Sequence, residues 1–296
     1  TIACYLGMAT NIIYSVSKVD SYISIVIGGI LGIIPLLLTL YIIKNSNGED
    51  ILDLNINLFG KIGGSIFNII LIVFSILLSS LIVYNLTLFL DIQYIPHTNP
   101  LYVKILVMVP IVYAASKDIG TISRLSQMML ILGFVIFFIT ACGLIPNAQL
   151  ENLQPVLSEG LKLPLKGGVI CAIFSGLPLL FLTVIPTKYE EHGKNRNKKI
   201  VGVYILSIIT IFVIIFVTTL SMGYGLISIH KYPEYTVIKN ISILTVIERI
   251  DNTLAILFQF FMIVFVILLF YFIIRGFKKV FKNNESQQLF PYILGI

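Results

Sequence analysis

The sequence predicts an all-α polytopic membrane protein, and three observations carry that expectation. Of 296 residues, 57% are hydrophobic and 11% charged, and the mean hydropathy is +0.99. A soluble domain carries roughly 25% charged and about 45–50% apolar residues. No compact core could hide this excess, which excludes a soluble enzyme. A bilayer-spanning helix needs about 20 predominantly apolar residues, so the apolar content furnishes about eight spans. The apolar runs are continuous and do not alternate in polarity, which selects helices over barrel strands.

Charge-poor windows give the elements in order: Thr1 to Ser17, Tyr22 to Ile43, Ser65 to Leu90, Leu101 to Ser116, Gln127 to Ile145, Gly167 to Ile185, Ile200 to Leu226 and Thr253 to Ile274. A ninth run opens at Pro291, and the chain starts on Thr1 inside an apolar run, so a sequence incomplete at both ends is expected. Longer polar links lie at Lys44–Gly64, Pro146–Lys166 and Ser228–Asn252. The last has Val237, Ile241, Leu244 and Ile247 at helical spacing, the pattern of an amphipathic surface helix.

Thirteen of the 20 Lys and Arg residues fall in links on one side, among them Lys188, Lys194, Arg196, Lys198 and Lys199. The positive-inside rule makes that side cytoplasmic. Topological anchoring then explains much of the net charge of +6 without an acidic partner such as nucleic acid. Tyrosines near span ends, such as Tyr22, Tyr41, Tyr102 and Tyr224, supply the interfacial aromatics in a chain with no Trp. Cys4, Cys142 and Cys171 lie in apolar segments without ligand spacing and read as buried free thiols that pack as small side chains.

A backbone group left unpaired in hydrocarbon costs several kcal/mol unless it lines a cavity or meets a ligand. Helix breakers inside spans are therefore candidate sites. In the sixth span, Phe174-Ser175-Gly176-Leu177-Pro178 combines a proline that removes one ladder donor with a flexible glycine. Alone, this stretch reads equally well as an ordinary proline kink. The first span contains Gly7 followed by Thr10 and Asn11. Interruptions at corresponding positions of two halves point to a transporter-type site, and spans one and six correspond if the chain is a 5+5 inverted repeat. The expected architecture is a single transmembrane domain over 1–296, with repeats at about 1–145 and 167–296. Helix N-termini at such breaks suit a carboxylate and free carbonyls suit an ammonium, so an amino-acid-like zwitterion is the expected ligand.

Ser79 and Tyr84 on the third span and Gln259 on the eighth could complete the pocket. The ligand-binding set is thus Gly7, Thr10, Ser79, Tyr84, Ser175, Gly176 and Gln259. Gly28 and Gly32 form a GxxxG spacing, better suited to close helix packing than to binding. No ionisable residue occupies the middle of a span, which disfavours a buried proton relay and leaves sodium coupling open. His97, His192 and His230 lie in loops without metal-ligand spacing. No catalytic constellation, metal site or cofactor motif is expected.

Four stretches then point to a family. Tyr22-Ile23-Ser24 leading into Ile27-Gly28-Gly29-Ile30-Leu31-Gly32 resembles the second span of the spore germination permeases, the B subunits of nutrient germinant receptors. Tyr113 through Ala114, Ala115, Gly120 and Arg124 is similar to their link between spans four and five, and Asn152–Leu157 with Gly160 to their outer segment. Glu248-Arg249-Ile250-Asp251 resembles the start of their eighth span. The resemblance implies a ten-span fold like that of the amino acid, polyamine and organocation transporters. It also implies nutrient sensing at the inner membrane of a bacterial spore, beside an A subunit and a lipoprotein C subunit. The expected function is a receptor subunit that binds a small nutrient, an amino acid; a secondary amino-acid transporter of the same fold is the alternative.

Overall fold

The structure, a computed structural model, describes residues 1–46, 48–96, 98–117, 119–144, 148–185, 196–239 and 250–281. The described parts of all eight charge-poor windows are mainly helical, and no strand occurs among the described residues. The chain is an all-α polytopic membrane protein. Among the described residues, five helical runs are long and apolar enough to cross a membrane, and two shorter apolar helices, Pro100–Ala115 and Ile119–Val135, accompany them. Large apolar side chains stand exposed along these helices, including Ile62 at 80% and Leu106 at 69%. In water such surfaces would aggregate; in a bilayer they meet lipid. Hydroxyls on the spans are consumed locally, as where Ser75 donates to the Leu71 carbonyl and Thr87 to the Val83 carbonyl.

The described residues form two compact units. The first draws on Thr1–Leu36, Met128–Pro178 and Asn195–Phe261. It opens with Ile2–Cys4 (α1), a π-helical turn at Tyr5–Ala9 and Thr10–Ser17 (α2), then a 3-10 turn at Lys18–Asp20 and Ser21–Leu31 (α3). Small residues let helices approach closely here. A Cβ added to Gly28 would lie 2.1 Å from the Cys171 Cβ, and one on Gly167 would lie 2.0 Å from the Ser17 Oγ. The GxxxG spacing on α3 is therefore a packing face against Lys162–Leu182 (α8).

The second unit draws on Leu37–Gln127, Leu179–Lys194 and Met262–Ile296. Ile33–Asn45 (α4) runs into it, followed by Ile51–Gln93 (α5) and Pro100–Ala115 (α6). α5 is two helices joined at Gly60, whose φ of 72° suits a residue without Cβ. Asn55 Nδ2 donates to Asn68 Oδ1 and Asn68 Nδ2 donates to the Leu52 carbonyl, and a Cβ on Gly64 would lie 2.5 Å from the Ile56 Cα. The later part of the link read as Lys44–Gly64, from Ile51 to Gly60, thus folds back on the span as a short helix. Asn99 caps α6 ahead of Pro100, as expected of a helix start. Phe181 packs edge-on against Phe272 and is stacked with Phe74.

Ile119–Leu144 (α7), α8, Arg196–Ile227 (α9), Pro233–Lys239 (α10) and Ile250–Phe281 (α11) complete the helices. α7, α8 and α11 each pass from one unit to the other, α8 between Pro178 and Leu179. Cys4 and Cys171 are buried free thiols. Outside the described residues lie His97, His192, most of the basic link from Thr187 to Lys199, the amphipathic positions Ile241, Leu244 and Ile247, and the Glu248-Arg249 pair. The ninth run from Pro291 lies outside them too, as does the Cys142 side chain.

Candidate functional site

The first unit holds the interruptions. Along Tyr5–Ala9 the helix widens to a π turn, so the Thr10 N–H donates to the Tyr5 carbonyl five residues back. Gly7 sits at its centre. Such turns inside α-helices recur at functional sites. Beside it, the buried Tyr5 hydroxyl donates to the Cys171 carbonyl at 2.6 Å. The Tyr204 hydroxyl donates to the Gly29 carbonyl at 2.9 Å, and a Cβ on Gly32 would fall 2.1 Å from that hydroxyl and 2.3 Å from Ser175 Oγ. Tyr5, Ser175 and Tyr204 thus form one buried polar cluster between the π turn, α8 and α9.

The expected break at Phe174–Pro178 takes a different form. α8 runs as one helix through Gly176 and Pro178. Proline removes a single donor, which a membrane helix tolerates when neighbours satisfy the remaining groups. Ser175 Oγ donates to the Ala172 carbonyl at 2.8 Å, and Gly176 faces Pro35, 3.1 Å from where its Cβ would be.

A true break lies in α9, at Gly223 (φ 66°, ψ 159°). The Leu220 carbonyl accepts instead from the Gln149 N–H at 3.1 Å and from Asn152 Nδ2 at 2.7 Å. The 149–152 segment is therefore a cap on a broken helix, and the chain that follows it is tied down by the Leu157 N–H to Asp20 Oδ1 at 3.0 Å and by the Lys18–Glu159 ion pair. An open recess of about 380 Å³ lies at this break, lined by Asn152, Gln154, Gly223 and Tyr224 among others.

The seven expected binding residues are divided between the two units. Gly7, Thr10, Ser175, Gly176 and Gln259 belong to the first unit, and Ser79 and Tyr84 to the second. Ser79 donates back to the Ile76 carbonyl, and Tyr84 is 53% exposed. Thr10 turns its hydroxyl to Glu234 of α10. Gln259 is buried, and neither atom of its amide has a hydrogen-bond partner.

Glu234 is the group that sequence reading missed. It is buried at 7% exposure, and its Oε1 makes no hydrogen bond. Burial pushes its carboxyl up to about 7 from an ordinary 4.5, against the smaller opposing effects of its own N–H and Thr10. The signal was a Pro233-Glu234 helix start flanked by Tyr232, Tyr235 and Val237, all of which are buried.

Continuous apolar helices, interrupted around buried polar groups, define a polytopic membrane protein whose polar interior sits beside breaks in its spans. The chain belongs to the spore permease family, described as spore germination protein, whose family model matches residues 3–296. It is 23% identical over 279 residues to a protein named spore germination protein YndE from Bacillus subtilis (strain 168), covering 92% of this chain and 74% of that relative. No solved structure matches the chain significantly. The protein is thus a germination-related integral membrane protein.

Proposed function

We propose that this chain is the membrane subunit of a spore nutrient receptor, and that it binds a small amino-acid-like nutrient beside its first span. The observation that carries the reading is the π turn centred on Gly7, packed through Tyr5 against Cys171 and the Ser175 cluster. An altered backbone register in an apolar helix is retained where it does something a regular helix does not. The unpaired, buried amide of Gln259 adds a second reason for a polar ligand in the same unit, because an orphaned amide is costly until something pairs with it. The proposed ligand set is Gly7, Ser175, Gly176 and Gln259, with Thr10 at its edge; Ser79 and Tyr84 are not used. The 5+5 inverted repeat, the A and C subunits as partners and the spore inner membrane as location belong to the same proposal. Its support is the family.

A ligand shifts an equilibrium only by its differential affinity for the two states. In the receptor reading, nutrient binding biases the conformation of the interrupted first span. The test is a nutrient panel scored by thermal stabilisation of the full-length subunit, together with germination of spores carrying Gly176→Leu. The expected result is stabilisation by one class of amino acid and loss of the response at normal protein levels. A response to every nutrient that survives Gly176→Leu rejects this site. Gradient-driven accumulation of labelled amino acid in liposomes would replace the receptor with the transporter.

A further inference from the structure

The Glu234 carboxylate has surroundings unlike those of an ordinary loop acid. Thr10 and Tyr14 lie one turn apart on α2 and so share a face. Across from them are Thr218 and Thr219 of α9, and Glu234 enters from α10. Each of the four hydroxyl residues is at most 3% exposed. The Tyr14 hydroxyl lies near the Thr218 and Thr219 hydroxyls yet makes no hydrogen bond of normal geometry, and the Glu234 Oε1 is equally without a partner. Tyr14 is the titratable group that faces Glu234 from α2, while α9 presents the two threonines. Among the described residues no ion pair reaches Glu234, and Lys231, three residues before it, is exposed.

Five oxygen-bearing side chains from three helices, two of them with unpaired buried oxygens, thus cluster without a countercharge. Buried polar groups of this kind are normally satisfied, and a buried carboxylate is normally paired. A divalent cation would call for several carboxylates, and among the described residues no cluster of three or more His, Cys, Asp or Glu exists. One carboxylate with neutral hydroxyls balances a single positive charge. We propose that Thr10, Tyr14, Thr218, Thr219 and Glu234 form a binding site for a monovalent cation, either an alkali ion or a primary ammonium group. The site shares only Thr10, at its edge, with the nutrient contacts proposed above, and it does not depend on that proposal. By the charge distribution of the links it faces the outer side of the membrane.

The test is thermal unfolding of the full-length subunit in detergent at constant ionic strength, in sodium, potassium, methylammonium or N-methylglucamine chloride, at pH 8 and pH 6. At a cation concentration about ten times the dissociation constant, the midpoint should rise by about 3–5 °C over N-methylglucamine at pH 8. The rise should shrink at pH 6, where a proton competes. Stabilisation by sodium or potassium identifies an alkali site, and stabilisation by methylammonium alone identifies an organic ammonium site; either supports the proposal. Glu234→Gln should abolish the effect. Tyr14→Phe and Thr219→Val, which keep shape, should raise the half-saturating concentration by about tenfold. Equal midpoints in all four salts, stabilisation by low pH alone, or a cation response that survives Glu234→Gln would each overturn the site.

Discussion

Two buried carboxylates, one in each unit, meet opposite fates. Asp50 in the second unit is fully buried, caps α5 by accepting the Asp53 N–H at 2.9 Å, and pairs with Arg275 at 3.0 Å and Lys279 at 2.5 Å. Glu234 in the first unit is almost as deeply buried and meets hydroxyls only. The difference is that between a charge neutralised by the fold and one that the fold leaves open. A neutralised charge locks α11 to the start of α5, whereas an open one is available to a proton or a cation.

Removing the locked charge should have the largest effect. Asp50→Ala strands Arg275, which is only 24% exposed, leaves Lys279 with the half-exposed Asp53 alone, and also loses the cap. Breaking a buried pair from one side costs about 3–5 kcal/mol. The partial exposure of the cations places the expectation near the lower end, read as a drop in the unfolding midpoint and in membrane abundance. Lys279→Met should cost less, because Arg275 still holds Asp50. Equal losses in the two variants would mean that the cap, not the charge, does the locking.

The open charge should show itself through pH. Burial raises the Glu234 carboxyl to about 7 from 4.5, so between these values the folded protein keeps a proton that the unfolded chain has released. Its contribution is complete below about 4.5, declines as pH rises through the window and is lost above about 7. The total change is about 3 kcal/mol, at about 1.4 kcal/mol per pH unit. Stability measured in N-methylglucamine chloride should therefore fall between pH 5 and pH 7.5, and Glu234→Gln should flatten the curve. A slope that persists in Glu234→Gln would assign the titration to another group.

Thr10→Val probes the same carboxylate more gently. It removes the hydroxyl that donates to Glu234 while keeping the shape of the side chain. Losing a hydrogen bond to a charged group costs about 1.5–3 kcal/mol, and one to a neutral acid nearer 1 kcal/mol. The variant should accordingly be more destabilised at pH 8 than at pH 5. An equal loss at both would show that Thr10 acts by packing alone.

How far the sequence reveals these features follows from the range of the forces involved. The described parts of all eight apolar windows are mainly helical because a continuous apolar run in lipid has no other way to satisfy its backbone. Gly28 and Gly32 are legible as a packing face for a similar reason: their spacing places them on one side of a helix. The break at Gly223 is hidden, since Gly223 and Gly225 near a span end look like ordinary small residues, and only the cap from Asn152 and Gln149 stabilises the broken form. At Pro178 the reverse holds. The local signal for a break is strong, and packing in the fold keeps α8 continuous. Glu234 is the clearest gap, because Pro233 and the flanking apolar residues mark a helix start, while the burial of the acid itself comes only when α2, α9 and α10 close around it.

A third carboxylate shows what exposure does to the same chemistry. Lys18 and Glu159 form an ion pair, yet their side chains are 46% and 51% exposed. Such pairs contribute roughly 0.2–1 kcal/mol. Lys18 also carries an unfavourable backbone, φ 52° and ψ −129°, at the end of α2. A non-glycine residue in a sparsely populated region of this kind costs about 1–3 kcal/mol. Lys18→Gly therefore sets the two effects against each other, and the strain should win, with a rise in the unfolding midpoint. Lys18→Met keeps the strain, removes the charge and should lower stability slightly. A loss in Lys18→Gly as large as that in Lys18→Met would show that the ion pair outweighs the strained backbone, and that an exposed carboxylate on this loop holds the structure more firmly than its surroundings imply.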